Sequence, residues 1–91
     1  MAVIDIRRAH ARGKEAAKAA IERVAEAIAG EYGVEHHWSG DALHFSRSGV
    51  KGRIVVAADE VHVHAELGLL ASALKPAIER EIERQLDRYV A

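Results

Sequence analysis

The sequence predicts an α+β domain of two layers, with two helices packed on one face of an antiparallel sheet and the element order β-α-β-β-β-β-α. Three observations carry this reading. Between Asp59 and Leu67, the apolar residues Val61, Val63, Ala65 and Leu67 alternate with polar ones, so one face of a strand is buried. After Gly68 the period changes, and Leu70, Leu74, Ala77, Ile78, Ile82, Leu86 and Tyr89 recur at three- and four-residue steps, as on the apolar face of a helix. Between residues 34 and 57, three further short strand-like runs are separated by connections too short for a parallel crossover.

A chain of 91 residues fits one domain, 1–91. At that size only about 60–65% of the unfolded chain's surface is buried on folding, so the core is modest. Hydrophobic residues make up 49% and charged residues 30%, the balance of a soluble globular chain. With 13 basic and 14 acidic residues the net charge is -1, which lacks the footprint of a general nucleic-acid binder. Arg7, Arg8, Arg12 and Lys14 cluster, but as a solvated edge. The absence of cysteine excludes disulfides and thiolate chemistry. The opening MAVIDIRRAH has no signal-peptide pattern, and no segment approaches the roughly 20 apolar residues of a membrane span. A cytoplasmic protein with no integral membrane segment is expected.

Taken in order, Val3 to Arg8 reads as a strand with Ile4 and Ile6 facing the core. From Lys14 to Tyr32, the stripe Ala17, Ala20, Ile21, Val24, Ala25 and Ile28 predicts a helix whose small residues let it lie close to what it covers. Arg12-Gly13 caps its start poorly, whereas Gly30 and Gly33 both suit its end. Strands follow at Val34 to Ser39, Ala42 to Arg47 and Gly52 to Ala57, and the fifth runs from the Ala58-Asp59 turn to Leu67. A four-residue loop, Ser48 through Lys51, between two two-residue turns sets an inward row of Trp38, Leu43, Val56 and Val61 beside one of His36, Phe45, Ile54 and Val63. Trp38 is thereby expected to be buried against the C-terminal helix. Pro76 disfavours a continuous helix, so a short turn over Leu69 to Leu74 should precede a main helix with Pro76 in its first turn. The first strand is placed beside the last, giving a helix-grip-like sheet.

The opposite face is polar, with His37, His44, Val55 and His62 in one row and Glu35, Ser46, Arg53 and His64 in the next. His37, His44, Arg53, His62 and His64 form the candidate interaction face, one able to respond to pH. His62 and His64, two apart on one strand, are the candidate metal ligands, with His44 a third. Val55 stands between His44 and His62, and no carboxylate or cysteine completes a set, so neither metal nor cofactor is expected. Ser39, Ser46, Ser48 and Ser72 have no histidine-acid pair implied by spacing, and Glu79 and Glu83 sit on an exposed helix face, so no catalytic residues are assigned. The loop with Gly49, Lys51 and Gly52 joins two strands and is not a phosphate loop.

Trp38-Ser39-Gly40-Asp41 with Leu43 and Phe45, then Gly49-Val50-Lys51-Gly52, Leu67-Gly68-Leu69-Leu70, and finally Ile78, Ile82 and Leu86, together resemble the polyhydroxyalkanoic acid system (granule region) proteins. The opening Ile4-Asp5-Ile6-Arg7-Arg8 with His10 is similar too, and the likeness spans essentially the whole chain. The resemblance implies a non-enzymatic accessory role in bacterial polyhydroxyalkanoate (PHA) storage, with the granule or granule-associated proteins as partners. It implies no catalytic residues. Two alternatives stand beside it. One is a small hydrophobic-ligand (acyl or lipid) binding protein, against which the alanine-rich first helix argues by close packing. The other is a self-associating structural module, such as a homodimer through the histidine face or an open strand edge.

Overall fold

The computed structural model describes residues 2–90; Met1 and Ala91, the ends of the predicted domain, lie outside the described residues. The elements are β1 (Ala2–Ala9), α1 (Lys14–Tyr32), β2 (Glu35–Ser39), β3 (Ala42–Arg47), β4 (Val50–Val56), β5 (Glu60–Leu67), a single 3₁₀ turn (Ala71–Leu74) and α2 (Lys75–Tyr89). All neighbouring strands are antiparallel, and the sheet order is β1-β5-β4-β3-β2. The predicted α+β order and the placement of the first strand beside the last both hold. α1 begins without a side-chain cap at Gly13 and ends at Gly33, while Gly30 lies inside it.

The core lies between the helices and the inner sheet face. Ile4, Leu43, Ile54, Val56, Val61, Val63, Ala65 and Leu67 project from the strands, against Ala17, Ala20, Ile21 and Val24 of α1 and Ile82 and Leu86 of α2. The end of α2 is pinned to the far edge of the sheet, where Arg8 pairs with Asp87 and the Arg12 guanidinium donates to the Val90 carbonyl at 2.8 Å.

Three expectations are corrected. The β3–β4 connection is a two-residue turn, Ser48-Gly49, with Arg47 opposite Val50, rather than a four-residue loop. Leu43 therefore faces Ile54, and Phe45 faces Gly52. A shift of two residues leaves every side chain on its predicted face, because side chains alternate with period two. Gly49, at φ 83, adopts the left-handed geometry such a turn requires. Gly52 then receives the Phe45 ring: a Cβ there would lie 2.5 Å from Phe45 Cζ and 2.6 Å from the His64 carbonyl oxygen.

Trp38 does face inward, but it is half-buried under α1 rather than α2. Its Nε1–H donates to Glu22 Oε1 at 2.7 Å, and Lys18 Nζ lies 5.2 Å from the ring centroid. The cause is topological. β2 is the edge strand farthest from β1, and α2 is anchored at the β1 edge.

The apolar stripe of the C-terminal segment is also narrower than its periodicity suggested. The helix starts at Lys75 with Pro76 in its first turn, as predicted, but Leu70, Leu74 and Ala77 are exposed and only Ile82, Gln85 and Leu86 are buried. The break at Pro76 takes the preceding leucines out of phase with the helix face.

The fit of Phe45 over Gly52 sets the β3–β4 register, and Gly52→Ala should destabilise the domain by about 1–3 kcal/mol through overpacking. Denaturant unfolding of Gly52→Ala, Phe45→Ala and the double variant measures this. The double variant is expected to lose less than the sum of the two, since truncating the ring removes the clash with Phe45 and leaves only that with the His64 carbonyl oxygen.

Candidate apolar binding site

The outer sheet face carries the residues that sequence spacing singled out, in a different arrangement. The cross-strand row is His37, His44, Arg53, His64 and Asp5, while Val55 lies opposite His62. The earlier rows differ for the same reason as the inner ones, the two-residue shift of β3 against β4. His37 and His44 stack with ring centroids 5.3 Å apart and planes inclined by 19°. Arg53, not Val55, stands between His44 and the His62–His64 pair.

Asp5 of β1 takes up that pair. Its Oδ1 lies 2.9 Å from His62 Nε2 and its Oδ2 3.6 Å from His64 Nδ1. The hydrogen bond with His62 is the main cause that holds the Asp5 carboxyl below its ordinary range. The histidine rings are 6.5 Å apart, centroid to centroid. Among the described residues no three or more histidine, cysteine, aspartate or glutamate side chains are grouped to hold a metal ion. The arrangement is a half-exposed ladder of carboxylate–imidazole contacts with one stacked imidazole pair.

The inner side holds the feature that spacing did not reveal. α1 is closely packed along its first half, where Ala17 and Ile21 are fully buried, as its small residues predict. Burial then falls along the helix: Ile28 is only partly buried and Tyr32 is exposed. In the space so left, between the second half of α1, the inner sheet face and the start of α2, lies an apolar cavity of about 320 Å³. Ile28, Phe45, Ile54, Val63, Ile78 and Ile82 are among the apolar residues that line it. The expectation that the alanine-rich helix would leave no room is thus corrected. Alanines bring one half of the helix close, and the larger Ile28 and Tyr32 sit where α2 is only beginning.

The mouth mixes apolar and charged groups. Leu70 and Leu74 stand at it, with Tyr32, Arg47, Ser48 and Glu81. Arg47 Nη1 donates to the Tyr32 carbonyl oxygen at 2.6 Å, placing a cation at the α1 C-terminus, where the helix itself has no basic residue in its last turn. Glu81 accepts from Arg84 Nη2 at 2.6 and 2.8 Å and from Gln85 Nε2 at 2.8 Å. The Arg84 hydrogen bond, then that of Gln85, holds the Glu81 carboxyl below its ordinary range. Burial, and then the nearby charges of Glu31 and Glu81, push the Tyr32 phenol up. His36, which also lines the cavity, has its Nε2 3.3 Å from Glu22 Oε2, the carboxylate that also accepts from Trp38.

The hairpin and the 3₁₀ turn are tied together beside this mouth. Gly68 N–H donates to the Gly49 carbonyl at 2.8 Å, Ser72 N–H to the Gly68 carbonyl at 2.9 Å and Ser72 Oγ–H to the Leu69 carbonyl at 2.8 Å. Leu69 and Leu70 are therefore exposed on an internally hydrogen-bonded turn. One sign in the sequence was available: Leu69, Leu70 and Leu74 crowd into the stretch before Pro76, more leucine than a short turn can bury.

Fold and site together define a small helix-on-sheet domain with an apolar cavity beneath its helices and an apolar, charged rim. The chain belongs to the family described as "Putative polyhydroxyalkanoic acid system protein", whose model matches residues 4–90. It is thereby linked to PHA systems. No curated protein and no solved structure matches it. No helix among the described residues is long and apolar enough to cross a membrane.

The Glu81 pairing has a pH signature. A carboxyl whose folded pKa lies below its unfolded value adds stability that is complete above the unfolded value and disappears as pH falls through the folded one. Glu81→Gln should therefore lower the melting temperature near neutrality, and the gap from the parent protein should close below about pH 4, the ordinary carboxylate range. Melting curves of both proteins from about pH 7 to about pH 3 measure it.

Proposed function

We propose that this protein is a non-enzymatic, cytoplasmic accessory module of PHA storage that meets the granule as a folded domain, through the leucines of the turn before α2. The observation that supports this reading is the exposure of Leu69, Leu70 and Leu74, at 82%, 90% and 59%. Clustered exposed apolar side chains of this kind mark contact surfaces. Each leucine transferred from water to an apolar surface contributes about 1.5–3 kcal/mol. A polyester surface is such a partner, and the link to it comes through the family.

The alternative route, spreading α2 onto the polymer as surface-active helices do, would expose Ile82 and Leu86 and uncover Val61 and Val63 beneath. At about 25 cal/mol per Å² of apolar area, that loss rivals the whole stability of a domain this size, about 5–10 kcal/mol. Contact through the preformed turn needs no such opening. The hydrogen bonds that hold the turn also lower the ordering entropy lost on contact.

The test is co-sedimentation with artificial PHA beads. Leu69→Ser, Leu70→Ser and Leu74→Ser combined should weaken bead binding at least tenfold with little change in melting temperature. A disulfide engineered between α2 and the sheet, clean to introduce because the chain has no cysteine, should leave binding intact. Undiminished binding by the triple variant, or binding lost in the locked protein and restored by reductant, refutes the mechanism. If the parent protein ignores bare beads but binds granules with their native protein coat, the partner is a granule-bound protein and the polymer reading fails.

A further inference from the structure

We propose that the cavity beneath the helices holds one medium-length alkanoate chain, its alkyl tail among the apolar walls and its carboxylate at Arg47 in the mouth. This goes beyond contact with the granule and does not depend on it.

The size comes first. An apolar cavity of about 150 Å³ stays dry and binds benzene, and a group the size of a water molecule takes about 30 Å³. The cavity here measures about 320 Å³, room for a chain of about ten carbon-sized groups. Most of its lining, from Ile28 to Ile78, is apolar, and the polar members include His36 on β2 and Arg47, Ser48 and Glu81, so water against the apolar walls would lack the two to four polar partners it needs. It is open to solvent beside the exposed Leu70, Leu74 and Arg47, which suits a molecule with a tail to bury and a head to keep wet.

Charge selects the head. Two ionised side chains stand at the mouth, and only one is already neutralised. Glu81 accepts three hydrogen bonds, two of them from the Arg84 guanidinium. Arg47 has no carboxylate partner among the described residues; its one hydrogen bond goes to the neutral carbonyl oxygen of Tyr32. A guanidinium carries five N–H donors in a planar fork that matches a carboxylate. The Tyr32 carbonyl holds that fork at the mouth while leaving most of it available, and the Ser48 hydroxyl lies at the same rim. A cationic head would find Glu81 occupied, and an uncharged one would make no use of the Arg47 charge.

Titration calorimetry, with no polymer present, tests this using straight-chain alkanoates of four to sixteen carbons and the matching alkanols. Affinity should rise about fourfold per added methylene, the factor equivalent to about 0.8 kcal/mol, and level off near ten carbons. Arg47→Gln should weaken alkanoate binding about tenfold and leave the alkanol of the same length unchanged, which also shows that the variant is folded. Ala71→Trp should abolish both by filling the cavity. Should that variant fail to fold, Ile78→Ala serves instead, and it should move the plateau to longer chains. Absence of binding, affinity independent of chain length, equal loss of alkanoate and alkanol in Arg47→Gln, or an unmoved plateau in Ile78→Ala overturns the assignment.

Discussion

The alanine stripe of α1 governs how closely a helix can approach this sheet, because Ala17 and Ala20, both buried, put only methyl groups between the helix backbone and the strands below. Close packing at that end draws Ile21 and Val24 into the same core as Leu43, Val56 and Val61. It also defines the space at the other end. Where Ile28 and Tyr32 replace alanine, the helix and sheet no longer meet as tightly, and α2, broken from its leader at Pro76, starts too late to close the gap. Native interiors are packed to crystal-like density, and an apolar space of this size in a 91-residue chain departs from it.

The two sheet faces divide the work. On the inner face, apolar rows carry the stability. On the outer face, charged and titratable side chains find partners across strands: Asp5 with His62 and His64, Arg7 with Glu60 at 3.1 Å. Exposed pairs of this kind contribute at most about 1 kcal/mol each. They keep a five-stranded sheet wet on one side. The apolar surface left in water is concentrated instead at Leu69, Leu70 and Leu74, next to the cavity mouth.

That neighbourhood joins the two proposed activities without making one depend on the other. The leucines are presented by a turn whose backbone is tied to the β3–β4 hairpin through Gly68 and Gly49, and the same hairpin supplies Arg47 and Ser48 to the rim. A surface that the leucines touch would lie beside the entrance to the cavity. Hydrogen bonds to the hairpin and within the turn, with Ala71 packed against the core, hold this segment in place.

Periodicity and turn chemistry by themselves determined the class of fold, the order of its elements, the face to which each strand residue points and the break before Pro76. These follow from local rules: alternation in strands, three- and four-residue spacing in helices, and the fixed geometry of proline and glycine. The shared features of the sequence also sufficed to place it in its family. Only the tertiary structure decided the register of β3 against β4, since a shift of two residues keeps every face and is invisible to alternation; the fit of Phe45 over Gly52 resolved it. For the same reason the histidine row was misaligned, and the part played by Asp5 on a strand 57 residues away from His62 could not be read. Trp38 went to α1 because strand order, not spacing, determines which helix covers an edge. The cavity was hidden for a deeper reason. A void is a property of the distance between two helices and a sheet, and that distance depends on the summed sizes of side chains brought together only by the fold.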